Sequence, residues 1–340
     1  MSVRWPAEWE PHLGIWVAWP HNMEDWPDRF GPIPWVYGDF LNKLSRVEHV
    51  NIIAQKKIRP DALNIFERFG ITPDRFTLHD YPTDRVWTRD FCPIWVQGAR
   101  QPQAMKFQFN AWAKYENWEH DDATGQKVAG EELVLPQRDG RRVVLEGGGI
   151  DGNGQGTLLT TREWLLSDTQ VRNPGYTQAD YEAVFAEYLG IRKTIWLNKG
   201  IVGDDTHGHV DDLARFINPN TVVCVYESDA GDENHESTRE NVEILRGSTT
   251  ADGKRIDVIT LPMPEPIMFD DQRLPASYAN FLIANDSVFV PTFNDPADRI
   301  ALGILADCFP GREVVGIYCG DLVWGLGTLH CMTMQQPSPV

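Results

Sequence analysis

Gly325-Leu326-Gly327-Thr328-Leu329-His330-Cys331 is a glycine-rich turn that delivers a histidine and a cysteine side by side. A lone cysteine is ordinarily a small buried hydrophobe. A reactive one needs a base within reach and surroundings that favour its thiolate. Three other segments concentrate the groups such a thiol would use: Val86-Trp87-Thr88-Arg89-Asp90, Leu145-Glu146-Gly147-Gly148 and Thr206-His207-Gly208-His209-Val210-Asp211-Asp212. His209 can serve Cys331 as base. Asp90, Asp211 and Glu146 can hold a planar cation by bidentate, charge-assisted hydrogen bonds. Carboxylates alone raise a thiol pKa, so the bound cation itself would help form the thiolate.

Two of these segments have rival readings. Gly147, Gly149 and Gly152 match GxGxxG, but a dinucleotide site needs a helix next, and Thr157-Leu158-Leu159-Thr160-Thr161 reads as a strand. A glycine turn between strands is the better account, with Glu146 at a strand end facing whatever the turn lines. His207-Gly208-His209-Val210-Asp211 resembles the HxHxD part of metallo-β-lactamase-type hydrolases. That motif continues with a histidine where this chain has Asp212, and the other histidines show no second ligand cluster. A metallohydrolase using His207, His209 and Asp211 stays as an alternative, although a metal needs at least three well-placed ligands.

The 340 residues carry a net charge of −18 and 42% apolar residues, including 13 Trp and 15 Phe. Such a chain can bury a large core, and it repels nucleic acid and anionic membranes while attracting cations. Five cysteines (Cys92, Cys224, Cys308, Cys319, Cys331) with no CxxC pair argue against a disulfide scaffold or zinc ribbon. The opening MSVRWPAEWEPH lacks an apolar signal core and no apolar run approaches a membrane span, so a reducing cytoplasm is expected.

Short strands alternate with medium helices. Strands are expected at Gly14–Trp19, Asn51–Ala54, Val143–Leu145, Thr221–Tyr226, Val288–Val290 and Val314–Tyr318. A helix is expected over about Val36–Val47. Another is capped by Thr177, buries Tyr181, Val184, Phe185, Tyr188 and Leu189, and ends at Gly190. A third opens at Asp295-Pro296, with Ile300, Ala301, Ile304 and Leu305 on one face. The polar stretch Glu116–Glu132 reads as a surface loop. With no linker or composition shift, residues 1–340 are expected to form one α/β domain.

The four segments in this order resemble the agmatine deiminases and the bacterial peptidyl-arginine deiminases grouped with them, guanidino-group-modifying proteins of the pentein superfamily. The resemblance runs from Pro6-Ala7-Glu8-Trp9-Glu10-Pro11-His12 to Gln335-Gln336-Pro337. It includes Trp19-Pro20-His21-Asn22, Gly156-Thr157-Leu158-Leu159-Thr160-Thr161, Arg172-Asn173-Pro174 and Ser277-Tyr278-Ala279-Asn280-Phe281. It implies a five-bladed, pseudo-symmetric α/β propeller. Asp90, Glu146, His209, Asn280 and Cys331 fit that loosely, at roughly one per module. It implies Cys331 as nucleophile, His209 as general acid and base, Asp90 and Asp211 on the guanidinium, and Glu146 orienting His209 or sharing the substrate. Asn280 and Trp87 would line the pocket, and His207 and His330 would support it.

The implied reaction is hydrolysis of agmatine to N-carbamoylputrescine and ammonia through a covalent thiouronium. It uses neither metal nor cofactor, and its partner is a small cationic guanidino substrate; a homo-oligomer is compatible with it. Alternatives are a deiminase of arginine, peptidyl-arginine or another guanidino compound, and a catalytically silent guanidinium-binding protein, for which the thiol would be superfluous. Three positions depart from the family. Cys92 stands where glycine is usual, Arg85-Val86 stands where agmatine deiminases carry an acidic or serine pair, and Gly325-Leu326-Gly327-Thr328 replaces Gly-Gly-Gly-Asn. All three bear on the substrate tail.

Overall fold

The computed structural model describes residues 3–98 and 102–339. Its α/β architecture repeats one motif five times. In each repeat an edge strand runs antiparallel to a central strand, and a helical crossover then brings a third strand in parallel on the other side. A parallel pair requires such a crossover, whereas an antiparallel pair does not. The first unit is built from both ends of the chain, with strands Met334–Pro337, His12–Ala18, Val50–Ile53 and Phe76–His79 in that order. Ile15 is paired with Gln335 on one side and Val50 on the other. The second unit orders Ile94–Gln97, Pro102–Met105 and Leu133–Val134. The third orders Asp151–Gly152, Thr157–Thr161 and Lys193–Leu197, and the fourth Ala214–Asn218, Thr221–Val225 and Asp257–Leu261. The fifth orders Leu282–Ile283, Ser287–Thr292 and Glu313–Tyr318.

Local sequence explains most crossover helices. Gln178–Leu189 begins in a capping box in which Thr177 and Asp180 bond each other's backbone, and it stops at Gly190 in the left-handed region, φ 70°. Pro296–Cys308 begins in the same way from Asp295 and Asp298. Ala301 and Leu305 of this helix are buried, but Ile300, expected beside them, is 56% exposed. The first helix spans Ile33–Leu44, a turn earlier than expected, because prolines are tolerated in a first helical turn. Strand ends differ from expectation by a residue or two, and Val143–Leu145 forms no strand: Val144 makes only an isolated bridge to Gln108.

The larger departure is Glu119–Ala129, a helix where a surface loop was expected. It has no apolar stripe along its length, and its buried face is mostly polar, with Val128 and Ala129 alone buried as apolar residues at its C-terminal end. Asp121 accepts the backbone N–H groups of Asp84 and Arg85, and Asp122 pairs with Lys106 (2.8 Å) and Arg142 (2.7 Å). Gly125 is required there, because a Cβ would fall 2.0 Å from the Phe91 carbonyl oxygen.

The edge strands position the chemistry. Each of the five opens a few residues after one of Asp90, Glu146, His209 with Asp211, Asn280 and Cys331. The third unit's central strand adds anchors from its threonines. Thr160 Oγ1 donates to the Gly149 carbonyl (2.9 Å) and Thr161 Oγ1 to the Gly208 carbonyl (2.5 Å), which ties the turns bearing Glu146 and His209 to one buried strand.

Candidate active site

Cys331 is buried at the end of the glycine turn. Its Sγ accepts a hydrogen bond from Asn280 Nδ2 at 3.1 Å and donates toward Asp211 Oδ2 at 3.6 Å. Asn280 is fixed in turn, since its Oδ1 accepts from Thr328 Oγ1 (2.7 Å) and from the His330 N–H (3.1 Å). Asn280 therefore sits behind the thiol rather than lining the pocket as expected. Burial and the carboxylates of Asp211, Asp212 and Asp90 push the Cys331 thiol well above its ordinary pKa, against the hydrogen bond from Asn280. At rest it is a thiol.

His209 lies between two carboxylates, Nε2 being 3.5 Å from Glu146 Oε2 and Nδ1 3.9 Å from Asp90 Oδ1. The Trp164 ring meets it edge-on at 5.3 Å between centroids. Burial lowers the basicity of this imidazole, but Asp90 and Glu146 outweigh burial and raise its pKa to about 9. It carries a proton at neutral pH. Glu146 is buried too, yet Arg172 (3.2 Å) and His209 hold it ionised, with a pKa down to about 2. Trp164 Nε1 donates to the same carboxylate at 2.7 Å.

Asp90 accepts from Trp112 Nε1 (2.9 Å) and from the Gly148 N–H (3.1 Å). Burial raises its pKa to about 6, Asp211 and Glu146 add to the rise, and His209 opposes it. Gly148 is the backbone hub of this cluster. A Cβ there would stand 2.6 Å from His209 Nδ1, 2.9 Å from Asp90 Oδ1 and 3.1 Å from Asp211 Oδ2, so only glycine fits. Asp211 Oδ2 is 2.7 Å from His330 Nδ1, whereas its Oδ1 is buried and has no partner among the described residues. A buried unpaired carboxylate oxygen is costly, and a cation would relieve it.

A cavity of about 340 Å³ opens on Cys331. Asp90 and Trp87 line it, and His209, Glu146, Asp211 and Asn280 do not. Arg85, Tyr115, Asp205, Trp324 and Leu326 line it too, none singled out as a pocket residue in the sequence except through the family departures at Arg85 and Leu326. Arg85 pairs with Asp25, donates to Asn117 Oδ1 at 2.8 Å and lies 4.4 Å from the Tyr115 ring. Leu326 adopts a left-handed φ of 67°, a conformation that disfavours side chains. Trp112, Trp164, Arg172 and Glu8 were also missed as site residues. Glu8 and Arg172 lie within stretches that carry the family resemblance.

The alternative metal site does not assemble. His207 Nε2 is bonded to Ser167 Oγ at 3.0 Å. Among the described residues the group able to offer three ligands is Asp211, Asp212 and Cys331, which includes neither His207 nor His209.

A buried thiol and a carboxylate on one cavity, backed by an imidazolium and further buried carboxylates and set on five repeated α/β units, define a deiminase of the guanidino-group-modifying kind. The chain belongs to the Porphyromonas-type peptidyl-arginine deiminase family, whose model matches residues 4–337. Among solved structures it is similar to an agmatine deiminase of Enterococcus faecalis, with a TM-score of 0.92 and 30% identity over 100% of this chain and 97% of that one. It is also similar to a cysteine-to-serine variant of a Campylobacter jejuni agmatine deiminase with substrate bound, with a TM-score of 0.87 and 29% identity over 99% and 96%. A Listeria monocytogenes protein assigned by name to the agmatine deiminases is 32% identical over 99% of this chain and 96% of its own. Among the described residues no helix is long and apolar enough to cross a membrane.

Proposed function

We propose that the protein hydrolyses the guanidinium group of agmatine to N-carbamoylputrescine and ammonia, with Cys331 as nucleophile. The observation that carries the proposal is the setting of Cys331. Its thiol faces a cavity lined by Asp90, is held by Asn280, and points at Oδ2 of Asp211, whose other oxygen, Oδ1, has no partner among the described residues.

The electrostatics set the order of events. In the free site the thiol keeps its proton because carboxylates surround it. A guanidinium seated on Asp90 and Asp211 cancels that charge, and the Cys331 proton leaves to solvent. The thiolate attacks the guanidinium carbon and gives a neutral tetrahedral adduct. Protonated His209 transfers its proton to one nitrogen, the C–N bond breaks, ammonia departs, and a thiouronium cation remains on Cys331. Ammonia takes up the proton released earlier. Water then adds to the thiouronium carbon and gives one proton to the now neutral His209. The C–S bond breaks as the ureido product forms, and the hydroxyl proton returns to the departing sulfur. Glu146, held ionised by Arg172, keeps His209 basic enough to perform both transfers.

Arg85 favours a second substrate in the same chemistry. This buried cation on the cavity wall has an Nε with no partner among the described residues, which suits a carboxylate at the far end of the substrate, as in arginine or an arginine-ended peptide. Ammonia release measured with agmatine, arginine and short arginine peptides decides between them. Turnover of agmatine above the others supports the first reading. No release from any guanidino compound overturns both.

A further inference from the structure

Beneath Cys331 lies a buried chain of polar groups that reaches the N-terminal segment of the protein. His330 Nδ1 is 2.7 Å from Asp211 Oδ2, and His330 Nε2 is 2.9 Å from Glu8 Oε2. Glu8 is locked in place. Its Oε1 accepts the Ile283 N–H at 2.9 Å, and its Oε2 accepts Arg215 Nη2 at 2.5 Å. Arg215 also binds Asp151 at 2.6 Å and the Phe281 carbonyl at 2.8 Å. Both ring nitrogens of His330 thus face carboxylate oxygens. The ring is clamped between two carboxylates, and it occupies one oxygen of Asp211 while the other has no partner among the described residues.

We propose that Glu8 and His330 are positioning residues for the substrate grip. Together they fix the Asp211 carboxylate so that its unpartnered oxygen is presented to the guanidinium. The inference rests on the deiminase reading of the site and adds two residues that touch neither substrate nor the reacting atoms. A flexible Asp211 could rotate its free oxygen onto the Cys331 thiol or onto a neighbouring donor. A carboxylate pinned through Oδ2 keeps Oδ1 available, which is preorganisation in the sense of orientation set before binding. The segment Pro6–His12 thereby reaches the site through one carboxylate, although it lies more than 300 residues from Cys331 in sequence.

The test uses agmatine binding to full-length protein carrying Cys331→Ser, which removes turnover from the readout. In that background Glu8→Gln is expected to weaken agmatine about tenfold, the lower end of what losing a supporting partner costs. His330→Asn keeps a donor near the Nδ1 position, facing Asp211, and is expected to bind agmatine more tightly than His330→Gln, whose amide reaches the Nε2 position and faces Glu8. A purely structural network would lower melting temperatures without producing that order. If the folded Glu8 and His330 variants all bind agmatine as the parent does, the proposal is overturned. If Glu8→Gln does not fold, the ranking of the two His330 variants decides alone. Failure of the deiminase reading looks different: the parent protein then neither binds agmatine nor releases ammonia from any guanidino compound.

Discussion

Asp90→Asn separates a substrate-gripping carboxylate from a structural one, and both expected effects follow from its contacts. The carboxylate accepts from Trp112 Nε1 and from the Gly148 N–H at once. An amide keeps one of these bonds and turns its NH2 group toward the other donor, losing about 1–3 kcal/mol. Against this stands the charge. Burial lifts the Asp90 pKa from 3.8 to about 6, so keeping it ionised at pH 8 costs the folded protein about 3 kcal/mol. With a raised folded-state pKa, wild-type stability is fullest below about pH 4 and falls as the pH rises to about 6. The variant lacks that loss. At pH 8 the two terms nearly cancel and the melting temperatures should agree within a few degrees, whereas at pH 5 the variant should melt lower. Catalysis has no such compensation. A charge-assisted hydrogen bond contributes about 1.5–3 kcal/mol, and misorientation adds to the loss, so kcat/KM should fall about 100-fold or more. Calorimetry without ligand at both pH values, beside steady-state ammonia release, measures the two effects. A variant that melts well below wild type at pH 8 yet keeps near-normal kcat/KM would remove Asp90 from the active site.

Other tests address the remaining groups. Cys331→Ser should lower turnover by at least about a thousandfold, since a serine hydroxyl is a far weaker nucleophile, while Cys92, Cys224, Cys308 and Cys319 changed singly to Ser should keep wild-type kcat. The pH profile of kcat/KM should rise through about 6 as Asp90 ionises and fall through about 9 as His209 loses its proton, and a profile flat across pH 5 to 10 contradicts both assignments. Glu146→Gln leaves Arg172 buried without its carboxylate, so the melting temperature should drop, and the alkaline limb should move to lower pH because His209 loses a supporting charge. The stability that Glu146 contributes is present above its unfolded pKa of about 4.5 and disappears as the pH falls toward about 2, so the melting difference between wild type and variant should shrink in acid.

The sequence by itself determined whatever depends on neighbours a few residues apart. The Thr177–Gly190 helix was legible because its capping box and its left-handed glycine are local hydrogen-bond devices. The helix opened by Asp295-Pro296 was legible for the same reason, and the short β-branched strands stood out by composition. The site residues were legible as reactive types in glycine-rich settings. Only the tertiary structure decided which of them meet. Asn280 moved from the pocket wall to the back of the thiol, a contact across 51 positions. The polar helix Glu119–Ala129 escaped notice because its buried face is satisfied by Lys106, Arg142 and two backbone N–H groups of distant residues, and no apolar periodicity records such pairing. Glu8 reached His330 across 322 positions. Capping and strand propensity act through adjacent backbone groups and leave a pattern along the chain. A buried carboxylate acquires its partner, its pKa and its role only when separate units pack, and that information resides in the three-dimensional arrangement.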